Sequence, residues 1–214
     1  MKLRRIIILQ LISVFLCLPS MAQRKAVPAN QQNMMVAEIK KASARLKTFE
    51  CDFVQTKQLS ILNDKLVSHG HMYYSGGKSL RWEYTSPYHY TFIVNGTKVK
   101  MKDSRGSQTV DVKSSKLFQG ITRIMLKSMT GSCLSEREDF RTTLYTEGDE
   151  WVAVMAPLKK EMRQLFQTIT LHYSTRDQMV RRVDLKERTG DEVGIELTNL
   201  KKNVPINAQI FQID

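Results

Sequence analysis

The chain is short of the residues from which metal, redox and nucleotide sites are made. It holds three cysteines and four histidines in 214 residues, and neither type stands at the spacing of a metal-ligand set. His69 and His71 share one strand face without a neighbouring cysteine or carboxylate at ligand spacing, and His89 and His172 stand alone; all four read as solvated or packed histidines. No Gly-x-Ser-x-Gly elbow, phosphate-binding loop or dinucleotide fingerprint occurs. No internal repeat, low-complexity tract or linker interrupts the chain, and its longest apolar run, Ile6 to Leu18, is too short to span a bilayer comfortably. No metal, cofactor or catalytic residue is therefore expected.

That apolar run follows Lys2, Arg4 and Arg5 and precedes Ser20-Met21-Ala22, with small residues three and one positions before the break. This is the pattern of a secretory leader cleaved after Ala22. Leu16 before Cys17 is too bulky for the lipid-attachment pattern. The expected organisation is a leader over 1–22 and one exported domain over 23–214, long enough for a sizeable core or a core with a cavity. Losing three basic residues lowers the formal net charge from +12 to +9. An exported basic protein has little nucleic acid to meet. Anionic membrane surfaces, acidic partners or a merely solvated basic surface remain open. Cys51 and Cys133 remain after cleavage. Cys51 alternates in phase with Phe49 and Phe53, as a small hydrophobe on an apolar face; whether the two cysteines pair is left open.

What the chain does have is concentrated between Gly70 and Gly96. This stretch carries seven of the seventeen aromatic residues, and they alternate. Leu80, Trp82 and Tyr84 fall on one side with Arg81 and Glu83 on the other, and Tyr90, Phe92 and Val94 repeat the pattern. Period two means strands with one apolar face. The Gly76-Gly77 turn, Pro87 and the Asn95-Gly96 hairpin signal set these strands side by side, so their large side chains merge into one surface, either core or binding site.

An amphipathic helix is expected over Asn33 to Lys47, from Met35, Val36, Ile39, Ala42 and Leu46. A strand follows from Phe49 to Ile61, with a turn at Asn63-Asp64. Further strands are expected at His69–Tyr74, Leu80–Tyr84, Tyr88–Val94, Lys98–Lys102, Gln108–Asp111, Phe140–Tyr145, Trp151–Ala156, Leu165–Ser174, Met179–Glu187, Val193–Leu200 and Ala208–Ile213. Between Ser115 and Met129 the apolar spacing changes to that of a helix, with an apolar face wider than one stripe. Its methionines suit a surface that repacks around variable ligands; the alternative is a helix that plugs the sheet.

Two features mimic chemistry. Ser75-Gly76-Gly77-Lys78 has the bare Ser-x-x-Lys spacing of acyl-serine enzymes, but it falls in a glycine turn without their companion elements. Glu136 and Glu138 sit among Arg137 and Arg141, as in a solvated charged segment.

Taken in order, Phe49-x-x-Asp52-Phe53-x-Gln55 after a first amphipathic helix, Gly70 ahead of Arg81-Trp82-Glu83-Tyr84, Pro87, and Phe92-Ile93-Val94-Asn95-Gly96 resemble the LolA family of periplasmic outer-membrane lipoprotein carriers. The Leu117–Met129 helix, Pro157 and Phe166-x-x-Ile169-x-Leu171 before the Arg188–Gly190 turn extend the resemblance over most of the mature chain. It implies an α+β, mostly β, single-domain fold: an incomplete, half-open antiparallel β-barrel with a helical lid over a hydrophobic cavity. It further implies a monomeric, non-enzymatic carrier in the periplasm. That carrier takes the acyl chains of lipoproteins, or another lipid, from an inner-membrane lipoprotein-releasing ABC transporter to an outer-membrane lipoprotein receptor. A sensor of mislocalised lipoproteins built on the same half-barrel is the alternative. By position Trp82, Tyr84, Phe92, Ile121, Ile124, Met125, Ile169 and Leu171 would line the cavity, with Leu80, Arg81 and Phe118 as lid or loop positions. The family's Arg-Pro pair, whose arginine latches the lid, is replaced here by Gly76-Gly77. The chain ends at Asp214 without the C-terminal extension of better-known members, so a different handover partner is expected.

Overall fold

The computed structural model describes residues 23–61 and 64–213, and the backbone but not the side chains of Leu117 and Phe118. The leader and Asn63 of the expected turn lie outside the described residues.

Twelve strands among them form one antiparallel sheet. One meander runs through β2 (Thr48–Gln58), β3 (Lys65–Ser75), β4 (Ser79–Ser86), β5 (Tyr90–Asn95), β6 (Lys98–Asp103) and β7 (Gly106–Asp111). The other runs through β8 (Phe140–Glu147), β9 (Glu150–Pro157), β10 (Phe166–Ser174), β11 (Val180–Glu187) and β12 (Glu192–Lys202). Pairing of β12 with β2 joins them, and the short β1 (Lys25–Ala26) adds to β8. Edge strands β1 and β7 do not meet, so the barrel stays open.

The turns follow their residues. Gly76 and Gly77 both take positive φ (58° and 71°), which a side chain would strain, and they let β3 return as β4. The hairpin after β5 is a two-residue turn shifted by one position from expectation: Asn95 pairs with Lys98, so Gly96 and Thr97 form the loop.

Three α-helices occur among the described residues: α1 (Ala29–Ala44), α2 (Lys116–Met129) and α3 (Lys160–Arg163). Helix α1 starts earlier than its apolar spacing suggests, directly after Pro28, whose φ of −57° suits a helix entry. Met35 and Ile39 of α1 join Phe49, Cys51, Phe53, Tyr74, Leu80 and Val94 in a core where each large side chain contributes about 1.5–3 kcal/mol by burial. One expected strand is absent. Ala208–Ile213 contains instead a single 3₁₀ turn, Ala208–Phe211. The chain leaves the sheet at Asn203, which has positive φ, passes Pro205, and is held in the turn by the Asn207 side chain accepting from the Gln209 N–H at 3.0 Å.

Candidate functional site

A cavity of about 300 Å³ lies between α2 and the apolar face of the sheet. Its wall draws on β2 to β5 and on β10 to β12. Strands β5 and β10 stand six places apart in the sheet order yet face the same space, which requires the sheet to curl around it.

Alternation along β4 builds one wall. Leu80, Trp82 and Tyr84 face the cavity while Arg81 and Glu83 pair with each other on the far side, Nε to Oε2 at 2.9 Å. Burial falls off along this row: Leu80 is sealed, Trp82 is 9% exposed, Tyr84 is half-buried, and Tyr88 in the following loop is 48% exposed. The row thus runs from the depth of the cavity to its rim. Phe53 on β2 supports it from behind, its ring centroid 4.5 Å from that of Trp82 and 5.1 Å from that of Tyr84. Phe53 fits there because its neighbour across the strands is Gly70; a Cβ at that position would lie 2.5 Å from the ring. Tyr90 and Phe92 of β5 extend the wall, and Phe166, Ile169, Val183, Leu185 and Ile195 close the opposite side.

The cover is α2. Ile121, Ile124, Met125 and Met129 face the cavity, with Met162 of α3 beside them. On its outer side Arg123 Nη1 donates to Asp139 Oδ2 at 2.6 Å and Lys127 pairs with Glu136. Such surface pairs are worth about 0–1 kcal/mol each. Firmer attachments sit at the C-terminal end of the helix. Tyr173 Oη donates to the Ser128 carbonyl at 3.2 Å, and Ser43 Oγ to the Thr130 carbonyl at 2.7 Å. Gly131, at φ 62°, lies so close to Ile39 that a Cβ would approach its Cγ2 to 2.2 Å.

Among the described residues no acid or base lines this space. Its titratable groups are phenols, and burial, with Tyr88 beside it, pushes Tyr84 up to about 12. Burial likewise raises Tyr90. Tyr84 Oη donates to Gln55 Oε1 at 2.8 Å. The Trp82 indole nitrogen is buried near that hydroxyl but outside hydrogen-bond geometry and has no partner among the described residues. Polarity is otherwise confined to Ser128, whose hydroxyl donates within its own helix to the Ile124 carbonyl at 2.6 Å. An apolar, uncharged chamber of this kind can hold hydrocarbon; its described residues bring no nucleophile and base into contact.

Residues 44–214 match the family described as outer membrane lipoprotein carrier protein LolA. The chain belongs to the LolA family. A search of curated proteins finds no match. Among solved structures, an uncharacterized conserved protein from Thermus thermophilus is similar at 9% identity, with 85% of this chain and 93% of that one covered and a TM-score of 0.52. A LolA superfamily protein from Nitrosomonas europaea is similar at 9% identity over 85% of this chain and 97% of the other, TM-score 0.48. The Mycobacterium tuberculosis lipoprotein LppX is similar at 12% identity over 82% and 98%, TM-score 0.44. The likeness to the Thermus thermophilus protein, at this identity, concerns the fold alone.

In this LolA-family chain the structure brings Trp82, Tyr84, Phe92, Ile121, Ile124, Met125 and Ile169 together around the cavity. Leu171 is not among the lining residues; it is fully buried in the core one step further along β10. Leu80 faces the cavity floor, not a lid. Arg81 lies on the opposite face, where besides Glu83 it donates from Nη1 to the Ile210 carbonyl at 3.3 Å and so holds the C-terminal turn. The Phe118 side chain lies outside the described residues. Sequence reasoning did not place Gln55, Met72, Tyr90, Ser128, Met129, Met162, Phe166, Val183, Leu185 and Ile195 in the lining. The last three carry the same period-two signal as their strands, and Gln55 stands out as the polar member of the Phe49-Cys51-Phe53 face. Cys51 and Cys133 are buried and unpaired, with burial pushing the thiols up to about 12 and about 11.

Proposed function

We propose that the protein is a periplasmic carrier that shields the acyl chains of lipoproteins in the cavity beneath α2 and catalyses nothing. Residues 1–22 direct export and are removed, and residues 23–214 act as one monomeric domain. Cargo comes from an inner-membrane lipoprotein-releasing ABC transporter and passes to an outer-membrane lipoprotein receptor. The observation that carries this reading is the uncharged, apolar chamber with a helix for a cover. A sixteen-carbon chain loses on the order of 10 kcal/mol by leaving an apolar environment, at ~0.8 kcal/mol per CH₂, so it cannot cross water unaided. A carrier must offer it comparable burial.

Cargo enters by displacement of α2. Its C-terminal end is tied by Tyr173, Ser43 and the Gly131–Ile39 contact, so the helix swings about that end, giving up its apolar contacts with the wall and the weak outer ion pairs. The methionines facing the cavity, Met72, Met125, Met129 and Met162, repack around whatever enters.

Purified mature protein is expected to bind a fluorescent fatty-acyl probe. Trp82→Glu and Phe92→Glu each place a charge in the chamber and abolish binding while far-ultraviolet circular dichroism stays native. Equal binding by wild type and both variants would falsify the cavity reading. Deletion of the gene is expected to deplete outer-membrane lipoproteins; normal lipoprotein sorting with an altered stress response would point to a sensor instead.

A further inference from the structure

Apart from the Ser128 hydroxyl, already bonded within its own helix, and the Tyr90 phenol, the polar groups of the cavity lie where Gln55, Tyr84 and Trp82 meet. There the hydrogen-bond inventory is unbalanced. Tyr84 Oη donates to Gln55 Oε1 at 2.8 Å, which uses the phenol's proton and the carboxamide oxygen. The carboxamide NH₂ of Gln55 has no hydrogen bond to any described residue. The indole N–H of Trp82 is buried and unpartnered among them, in a residue only 9% exposed. The unused groups of Gln55 and Trp82 are thus donors; that of Trp82 is buried, and a buried donor without an acceptor is unfavourable until something supplies one. A hydrocarbon tail has no acceptor. The carbonyl of an ester or amide has an oxygen with two lone pairs.

We propose that the free donors of Gln55 and Trp82, with Tyr84 fixing the Gln55 carboxamide, form a polar anchor for the carbonyl oxygen that links an acyl chain to the rest of its carrier molecule. This rests on the acyl-carrier reading and adds a ligand class and an orientation to it. The carbonyl sits against Gln55 and Tyr84 at the rim, and the tail runs inward past Trp82 to Leu80. The gradient of burial along β4 gives the direction, since the linkage must stay near the opening from which the polar remainder of the ligand projects. Trp82 serves twice, its ring facing the tail and its N–H the carbonyl. With α2 seated that N–H is buried, and the displacement of α2 that admits a ligand opens the wall on which Trp82 lies. Specificity then comes from a chamber that tolerates any tail and a rim that requires an acceptor.

The test is displacement of a fluorescent acyl probe by two competitors of equal chain length, an alkyl ester and the corresponding ether without the carbonyl. Wild-type protein is expected to prefer the ester about tenfold, the effect of one buried hydrogen bond. Gln55→Leu, of similar size, and Trp82→Phe, which keeps an aromatic ring without the N–H, are each expected to bring the ester-to-ether ratio close to one. A second measurement does not depend on those variants. The chain has two tryptophans, so in Trp151→Phe protein the emission comes from Trp82 alone. It is expected to move to longer wavelength with the ester and not with the ether. Equal affinities for ester and ether in wild type, or an unchanged ratio in both variants, overturns the anchor while leaving the carrier reading intact. Binding of neither compound removes the carrier reading and the anchor with it.

Discussion

Gly70 offers a sharp test of how the wall of the cavity is held. A Cβ placed on it would lie 2.0 Å from the carbonyl oxygen of Glu83 and 2.5 and 2.6 Å from two atoms of the Phe53 ring. Comfortable contact needs about 3.5 Å, so Gly70→Ala demands a shift of roughly 1 Å or more. Neither neighbour yields easily. The Glu83 carbonyl belongs to β4, which pairs with β3 through His71–Glu83 and Gly70–Tyr84. Phe53 is 1% exposed and packed against both Trp82 and Tyr84. Overpacking of a core costs about 1–3 kcal/mol, and weakening one ladder bond adds about 1 kcal/mol, so a loss near 3 kcal/mol is expected. For a domain of this size each kcal/mol lowers Tm by about 2–4 °C, giving a fall of about 6–12 °C in a calorimetric melt. Because Phe53 supports Trp82, binding of the acyl probe should also weaken in protein that is still folded. Gly194→Ala is the control: its nearest neighbour would be Asp184 Oδ1 at 3.4 Å, an ordinary contact, and its Tm should stay near wild type. A Gly70→Ala protein that melts with wild type, or a Gly194→Ala protein equally destabilised, would refute the argument that close approach of the backbone at Gly70 shapes the wall.

Two further outcomes follow from the opposite face of the sheet. His172 is buried between carboxylates, Nδ1 at 2.8 Å from Glu150 Oε2 and Nε2 at 3.0 Å from Asp184 Oδ2. Burial favours the neutral ring, but the hydrogen bonds to Asp184 and Glu150 outweigh it and raise the imidazole above its ordinary value. Stability from the charged ring is therefore complete below the unfolded value of about 6.5 and lost as pH rises through the raised folded value. The urea midpoint should decline on going from about pH 6 to about pH 9, and His172→Gln should flatten that decline; an identical slope in the variant would exclude His172 as its source. Arg81→Ala removes a partly exposed pair with Glu83 and the hold on the Ile210 carbonyl. It should change stability by about 1 kcal/mol or less and leave probe binding intact. Hydrogen exchange should quicken across the 3₁₀ turn at Ala208–Phe211, and loss of probe binding would instead make Arg81 part of the lid.

Much of the barrel could be read from the chain because period two is a local signal. Leu80, Trp82 and Tyr84 declare their face within a few residues, and Gly76-Gly77 declares the return. The cavity could be anticipated in its aromatic wall and in α2, whose apolar face is wider than packing on a surface needs. What stayed hidden depends on distant pairing. Leu171 and Ile169 have the same face, the same chemistry and a spacing of two, yet only Ile169 borders the space, because the curl of the sheet decides where core ends and cavity begins. His172 read as isolated since its partners, Glu150 and Asp184, lie on the neighbouring strands β9 and β11. The terminal segment carried apolar residues at strand-like intervals, and the turn at Asn203, Pro205 and the Asn207 cap prevailed over that pattern.

The size of the cavity bears on how a carrier could both hold and release its cargo. Small-molecule pockets span ~300–1,000 Å³, and this one stands at the lower end at about 300 Å³. Ile121, Ile124, Met125 and Met129 of α2 therefore already cover much of the apolar wall. A chain that enters exchanges one apolar cover for another. The net gain is then the difference between burying the tail and uncovering the helix, well below the on-the-order-of-10 kcal/mol worth of a sixteen-carbon chain taken alone. A rigid, fully open cavity would capture the whole amount and release cargo slowly. A cover that folds back as the tail departs returns part of that energy at the moment of handover. Substitutions that strengthen the packing of α2 on the wall should then lower affinity by competing with cargo, whereas shortening Met125 to Ala, which weakens the cover more than it weakens the wall, should tighten probe binding and slow its release. Weaker binding by Met125→Ala would show that α2 acts mainly as a contact for the ligand, and the competition described here would be absent.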